Sequence, residues 1–337
     1  MAVSWPREYG GLGLGPIEQF VFTEEMALAG APTGAHSRAS ELIGPALIAF
    51  GTPAQKAKFL PAFLRGEILF SLGYSESEAG SDLANLRLSA VRDGDGWILN
   101  GEKLWTSRGD VADYHWLAAR TNPQATPPHA GISVFMVPLD APGITIRDSM
   151  ALYSHTLLGG ALRQRAGRRR RAGRRDRRRL EGDHACARLR ARRHGLHVAA
   201  IRSLFEAIVR HAAVATQDSR ALRDDPLLRD RLGQLAAEIE AARQLAINGV
   251  RIAESGRVPV HEAAMSKVYS GELLQRLTQA AIELFGNAAT LGEDAAGSIV
   301  DGRIEQQLRR SIMMVVGGGT AEVQRNLIAT RGLGLPR

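Results

Sequence analysis

Cysteine is nearly missing from these 337 residues: Cys186 stands alone, so no internal disulfide is available and the chain suits a reducing cytoplasm. No run of about 18 uninterrupted apolar residues occurs, which argues against a membrane span. The opening MAVSWPREYGGLGLG has no basic region followed by an apolar one and does not read as a secretory leader. There is no GxGxxG after a strand, no phosphate-loop signature, no HExxH and no paired Cys–Cys spacing. A Rossmann dinucleotide site, a nucleoside triphosphatase and a zinc centre are therefore unsupported. GLGLG at 11–15 follows no strand and reads as a loop. His36, His115, His129 and His155 are far apart, and His194 and His197 have no Cys or carboxylate at ligand spacing to complete a metal site.

What is present is apolar enough, at 45% hydrophobic, for two or three packed subdomains. The net charge of +8 resembles a nucleic-acid signal, but its distribution speaks against one. Residues 163–193 hold fifteen arginines against Asp176, Glu181 and Asp183, a net +12 that leaves −4 for the rest. The basic character belongs to one tract and not to a face of the fold.

Along the chain, 16–67 reads as helical hairpins, with Thr52 as a cap and Pro53 at the first helical position. From Glu67 short β-rich pieces follow, separated by turns at Asp93-Gly94-Asp95-Gly96 and Asn100-Gly101. Their spacing suits a small sandwich or barrel. From about His197 the chain is helical again: Leu235, Ile239, Ala242 and Ala246, then Leu273, Leu277, Ala281 and Leu284, recur at helical spacing, with Gly286 as a stop. Wide apolar faces suit a bundle. Met265, Met313 and Met314 read as core, Asp93 and Asp95 as turn residues, and Glu24-Glu25 as a solvated helix face.

Two segments of the β region carry chemistry: Tyr74-Ser75-Glu76-Ser77-Glu78-Ala79-Gly80-Ser81-Asp82 and Asn100-Gly101-Glu102-Lys103-Leu104-Trp105-Thr106-Ser107. With WPREYGG before them, VADYHWLAART after them and GGGTAEVQRNLIATRGLG at the C-terminus, the chain resembles the acyl-CoA dehydrogenase family over 1–155 and 197–337. The resemblance implies a mainly α fold with a central β domain: an N-terminal helical domain, a β-sandwich or barrel and a C-terminal four-helix bundle. The boundaries expected are 1–67, 68–156, an aberrant Arg-rich 157–193, and 194–337. It also implies FAD as cofactor, α,β-desaturation of an acyl-CoA thioester, an external electron acceptor such as an electron-transfer flavoprotein (or oxygen, in an oxidase), and a homo- or hetero-oligomer. A flavin accepting hydride needs donors around its ring and a flat apolar wall. By resemblance Ser75 and Ser107 supply hydroxyls and Trp105 stacks on the ring. Ser81 lies toward the acyl-CoA, while Thr320, Glu322 and Arg220 touch the rest of the cofactor. Taken alone, Trp105 reads as a core residue and the serines as turn residues; the joint context of the motifs favours the flavin reading.

The family's base is missing from both positions where the resemblance places it. A glutamate directly before the Gly-Thr of the closing motif is Gly318 here, which still offers a backbone N–H to the thioester oxygen. The alternative Glu-Arg step on the first bundle helix is Arg192-Arg193. The Arg-rich tract reads either as a basic arm for nucleic acid or anionic lipid, or as out-of-frame translation of a GC-rich gene. Two helices that usually precede WPREYGG are absent, which implies an incomplete N-terminal domain. Arg220-Ala-Leu-Arg223-Asp224-Asp225-Pro226 and Gly317-Gly318-Gly319-Thr320 resemble the subfamily whose hetero-oligomeric members degrade steroid side chains, where one subunit carries the base. The expectation is a base-less subunit of this kind; the alternative is a catalytically inactive structural subunit or a damaged gene product.

Overall fold

The computed structural model describes residues 2–31, 36, 38–153, 156–165, 182–217 and 219–336; the side chains of 148–150, 156–165, 182–195 and 217 lie outside that description. His155 and residues 166–181 of the Arg-rich tract also lie outside it. In chain order the elements are α1 (Pro16–Leu28), α2 (Gly44–Phe50), α3 (Pro53–Arg65), β1 (Phe70–Gly73), β2 (Ser89–Asp93), β3 (Gly96–Ser107), β4 (Tyr114–Arg120), β5 (Ile132–Pro138), β6 (Arg147–Met150) and β7 (Thr156–Arg165). They continue with α4 (Gly182–Val214), β8 (Thr216–Gln217), β9 (Arg220–Ala221), α5 (Pro226–Glu254), α6 (Val260–Phe285), α7 (Arg303–Val316) and α8 (Ala321–Leu327). The interval 157–193 thus contains β7 and the first turns of α4.

The chain divides into two compact units, Met1–Gly11 with Gly34–Glu181 and Leu12–Thr33 with Gly182–Arg337. In the first, β1 to β7 form one seven-stranded sheet. β4 pairs antiparallel with β5 along its length and parallel with β1, while β3 pairs antiparallel with β2 and with β7. Trp5, Phe59, Leu60, Phe63, Phe70 and Trp116 make the apolar cluster between α3 and this sheet. α3 begins as its sequence dictates: the Thr52 hydroxyl accepts from the Gln55 N–H at 3.2 Å and the Gln55 side chain accepts from the Thr52 N–H at 2.9 Å, a reciprocal cap with Pro53 at the first position.

In the second unit, α1, α4, α5 and α6 pack around Phe20, Leu204, Ile208, Leu235, Leu273, Leu277 and Ile304. Leu235, Ile239, Ala242 and Ala246 are all buried on α5, and α6 ends at Gly286 with φ +61. The Asp225 carboxylate caps α5, accepting from the Leu227 and Leu228 N–H groups at 2.8 and 3.3 Å. Among the described residues no helix is long and apolar enough to cross a membrane.

Three local expectations are corrected. α1 packs on α4 and α5 instead of forming a hairpin with the helices that follow it, because Phe20 is buried in the bundle core. Glu24 is not on a solvated face: it is 5% exposed and accepts from Arg243 Nε and Nη2 at 2.7 and 3.0 Å, so only Glu25 faces water. Asn100-Gly101 is not a turn but the middle of β3, pairing with Ser89 on one side and with Arg163 and Leu162 on the other. Glycine stands at 101 because the strand passes Leu88 so closely that a Cβ would sit 2.7 Å from the Leu88 Cα, at a φ of +149.

Gly101→Ala is therefore expected to destabilise the β domain by about 2–3 kcal/mol, while Gly80→Ala, with open space around it, changes stability by less than about 0.5 kcal/mol. Urea unfolding of the two variants checks this; equal midpoints would refute it.

Candidate flavin and acyl-CoA site

β3 carries an irregularity that exposes Trp105. Pairing with β7 runs Lys103 to Gly160 and then Thr106 to Leu158, so Leu104 and Trp105 oppose a single residue of β7. Such a bulge re-aims the side chains next to it. Trp105 has φ +59 and is 64% exposed, whereas Lys103 and Thr106 on either side are buried. The Leu104 N–H donates to the Ser75 carbonyl at 2.9 Å, which brings the two sequence motifs together. Ser75 and Ser107 are half-buried; the Ser107 hydroxyl is 3.2 Å from that of Tyr153, and its carbonyl accepts from Arg38 Nη1 at 3.1 Å. Ser81 is exposed on the loop that continues from the Ser75 segment.

Beneath this surface is a buried polar network that the sequence reading missed. Lys103 Nζ donates to Glu76 Oε1 at 2.8 Å and to the Tyr74 carbonyl at 2.9 Å. Glu76 also accepts from the Arg87 and Leu88 N–H groups at 2.6 and 3.0 Å. Burial raises the Glu76 carboxyl, but the Lys103 ammonium and these two N–H donors outweigh it and hold it below its ordinary value. Burial lowers the Lys103 ammonium against the opposing pull of Glu76. His115 on β4 is 4% exposed, with Nδ1 2.6 Å from the Ser71 hydroxyl. Burial first, and the Lys103 charge second, push His115 down to about 4. The only sequence trace of this network is a lysine at an inward-facing position of the β3 alternation, in step with Leu99 and Gly101.

In the second unit Gly318, Thr320 and Glu322 lie at or just after one loop. Gly317, Gly318 and Gly319 join α7 to α8, with Gly318 at φ +72 and Gly319 at φ +97. Lys267 of α6, 8% exposed, holds this loop by donating to the Val315 and Gly319 carbonyls at 3.2 and 2.6 Å. Around Gly318 there is open space, and its N–H makes no hydrogen bond to the described residues. Thr320 caps α8, its hydroxyl accepting from the Val323 N–H at 3.3 Å. The exposed Glu322 carboxylate is held below its ordinary value by its own N–H and then by the Thr320 hydroxyl. Arg220 stands apart, exposed on the β8–β9 hairpin. Arg192 falls on α4, its side chain outside the described residues. Among those residues no three His, Cys, Asp or Glu side chains are grouped to hold a metal ion.

Family models for the acyl-CoA dehydrogenase N-terminal, middle and C-terminal domains match residues 1–67, 71–156 and 182–333. The chain belongs to the acyl-CoA dehydrogenase family. It is 36% identical over 358 residues to the acyl-CoA dehydrogenase FadE26 of Mycobacterium tuberculosis, covering 100% of this chain and 85% of the relative. FadE29 of the same organism is 33% identical, with 100% and 86% covered. Among solved structures, the Tcur3481-Tcur3483 steroid ACAD aligns with a TM-score of 0.88 at 32% identity, covering 100% of this chain and 85% of that one. The ChsE4-ChsE5 complex from Mycobacterium tuberculosis aligns at 0.86 and 34%, covering 100% and 86%. The fold is that of the family, with an N-terminal helical, a middle β and a C-terminal helical domain.

FAD is the cofactor of this family, and the β domain fits it. A 64%-exposed indole presented by a bulge, flanked by half-buried hydroxyls, is the kind of apolar wall and donor set a flavin ring requires.

His115 makes this domain sensitive to acid. Its folded value near 4 lies below the ordinary 6.5, so between these the unfolded chain binds the extra proton and stability falls as pH falls, by roughly 3 kcal/mol once pH is below 4. His115→Gln is expected to flatten the pH dependence of the unfolding midpoint between about pH 6.5 and 4; identical slopes for parent and variant would contradict it.

Proposed function

We propose that this chain is the base-less, FAD-binding subunit of a hetero-oligomeric acyl-CoA dehydrogenase, with a homologous subunit supplying the catalytic carboxylate. The observation that carries the reading is Gly318: the position the family uses for its base is an exposed glycine in open space with an available N–H. Glu322 does not replace it, since a carboxylate stabilised at a helix start is a weakened proton acceptor. The likeness to the steroid ACAD and to the ChsE4-ChsE5 complex supports a two-subunit arrangement and makes a steroid side-chain thioester the first substrate class to try.

Desaturation removes two hydrogens from adjacent carbons of the acyl chain. The α-hydrogen leaves as a proton to a carboxylate, and the electron pair of that C–H bond becomes the new π bond. Bound FAD supplies the acceptor for the β-hydrogen, which leaves with both electrons of its bond. This chain contributes the rest: Trp105 gives the flat wall, Ser75 and Ser107 give hydroxyl donors, and Arg220, Thr320 and Glu322 hold the remainder of the cofactor. Ser81 orients the acyl-CoA, and the Gly318 N–H donates to the thioester oxygen, which lowers the cost of removing the α-proton. The electrons pass on to an external acceptor such as an electron-transfer flavoprotein.

The test is the visible flavin band of the purified chain, followed anaerobically on adding acyl-CoA. The band is expected to be present and to persist. Gly318→Glu, which has room for its side chain at a backbone cost of about 1 kcal/mol for the left-handed φ, is expected to bleach it. No flavin band in folded protein would favour a silent structural subunit; bleaching by the parent chain alone would overturn the base-less assignment.

A further inference from the structure

Ser75 is held from three consecutive residues at once. Lys103 Nζ binds the carbonyl of Tyr74 before it and the carboxylate of Glu76 after it, and the Leu104 N–H binds the carbonyl of Ser75 itself. The next residue, Trp105, is the one the bulge turns outward, and Thr106 returns to the interior. The two segments that carry the hydroxyl and the indole have no strand pairing between them at these positions; this lysine and the adjacent N–H fix their register.

We infer that Lys103 and Glu76 are positioning residues which lock the Ser75 segment against the β3 bulge and so preset the distance between the Ser75 hydroxyl and the Trp105 indole. This rests on the flavin-binding reading only for its consequence; the clamp itself is a property of the β domain's own residues. Lys103 is 2% exposed and Glu76 9%, so both lie beneath the surface that presents Trp105, and their effect on a bound ring passes through the backbone of 74–76 and 103–105. A buried ammonium with one carboxylate and one carbonyl partner tolerates little displacement, because any shift leaves charge unpaired in the interior.

The test compares the parent chain with Lys103→Met and with the double variant Glu76→Gln, Lys103→Met. The double variant removes both charges yet keeps an acceptor for the Arg87 and Leu88 N–H groups, so it carries the test if the single variant does not fold. Amide hydrogen exchange is read first, without FAD. The Leu104 amide is expected to exchange at least about tenfold faster in the variants, while Leu117 in the middle of β4 keeps its parental rate. Unchanged protection at Leu104 would overturn the inference, and so would faster exchange at both sites, which would show general loosening instead of a local lock. FAD titration by flavin fluorescence is read second, with an affinity loss of at least about tenfold expected in the folded variants. A parent chain that takes up no FAD would refute the proposed function and leave the exchange comparison to decide the clamp.

Discussion

An ammonium group moved from water into a protein interior costs several kcal/mol unless a carboxylate goes with it and the remaining donors find acceptors. Among the described residues of the β domain that requirement is met where Lys103 meets Glu76 and the Tyr74 carbonyl. Much of the surrounding geometry follows. The loop after β1 must run beside β3 so that 74–76 face 103–104; β3 must bulge so that Leu104 turns its N–H to Ser75; and Trp105 is left facing out. His115, close enough to feel the Lys103 charge, stays neutral and spends its Nδ1 on Ser71.

The helical unit repeats the device with a different outcome. Lys267 is also a buried lysine that grips backbone carbonyls, here those at the end of α7 and in the glycine loop. Three successive glycines let that loop take left-handed φ values at 318 and 319 and keep a backbone N–H presented in open space. On the proposed function, such a loop offers a thioester a hydrogen-bond donor without a base; the chain's own part is then holding and polarising, and the proton goes to a carboxylate of the partner subunit.

The helices were legible because their signals are local: a Thr-Pro start with Gln at the third position, apolar residues at i and i+3 or i+4, a glycine stop. The motif residues were named by resemblance, and the bond from the Leu104 N–H to the Ser75 carbonyl brings the two motifs side by side. Three things were not legible for a common reason: their cause lies far away in sequence. Glu24 is buried by Arg243, 219 residues on. Gly101 is required by the approach of Leu88, the residue just before β2, and in isolation Asn-Gly reads as a turn. Glu76 and Lys103 are 27 residues apart, and nothing near either announces the other.

The central claim, a subunit that holds cofactor and thioester but has no base, is tested most directly by α-proton exchange. The purified chain is incubated with FAD and an acyl-CoA in deuterated water without electron acceptor, and deuterium at the α-carbon is followed by mass spectrometry. The account predicts no incorporation above the buffer rate by this chain alone, with incorporation appearing when a glutamate-bearing homologous subunit is added. Incorporation by this chain alone would show a base within it and would contradict the account.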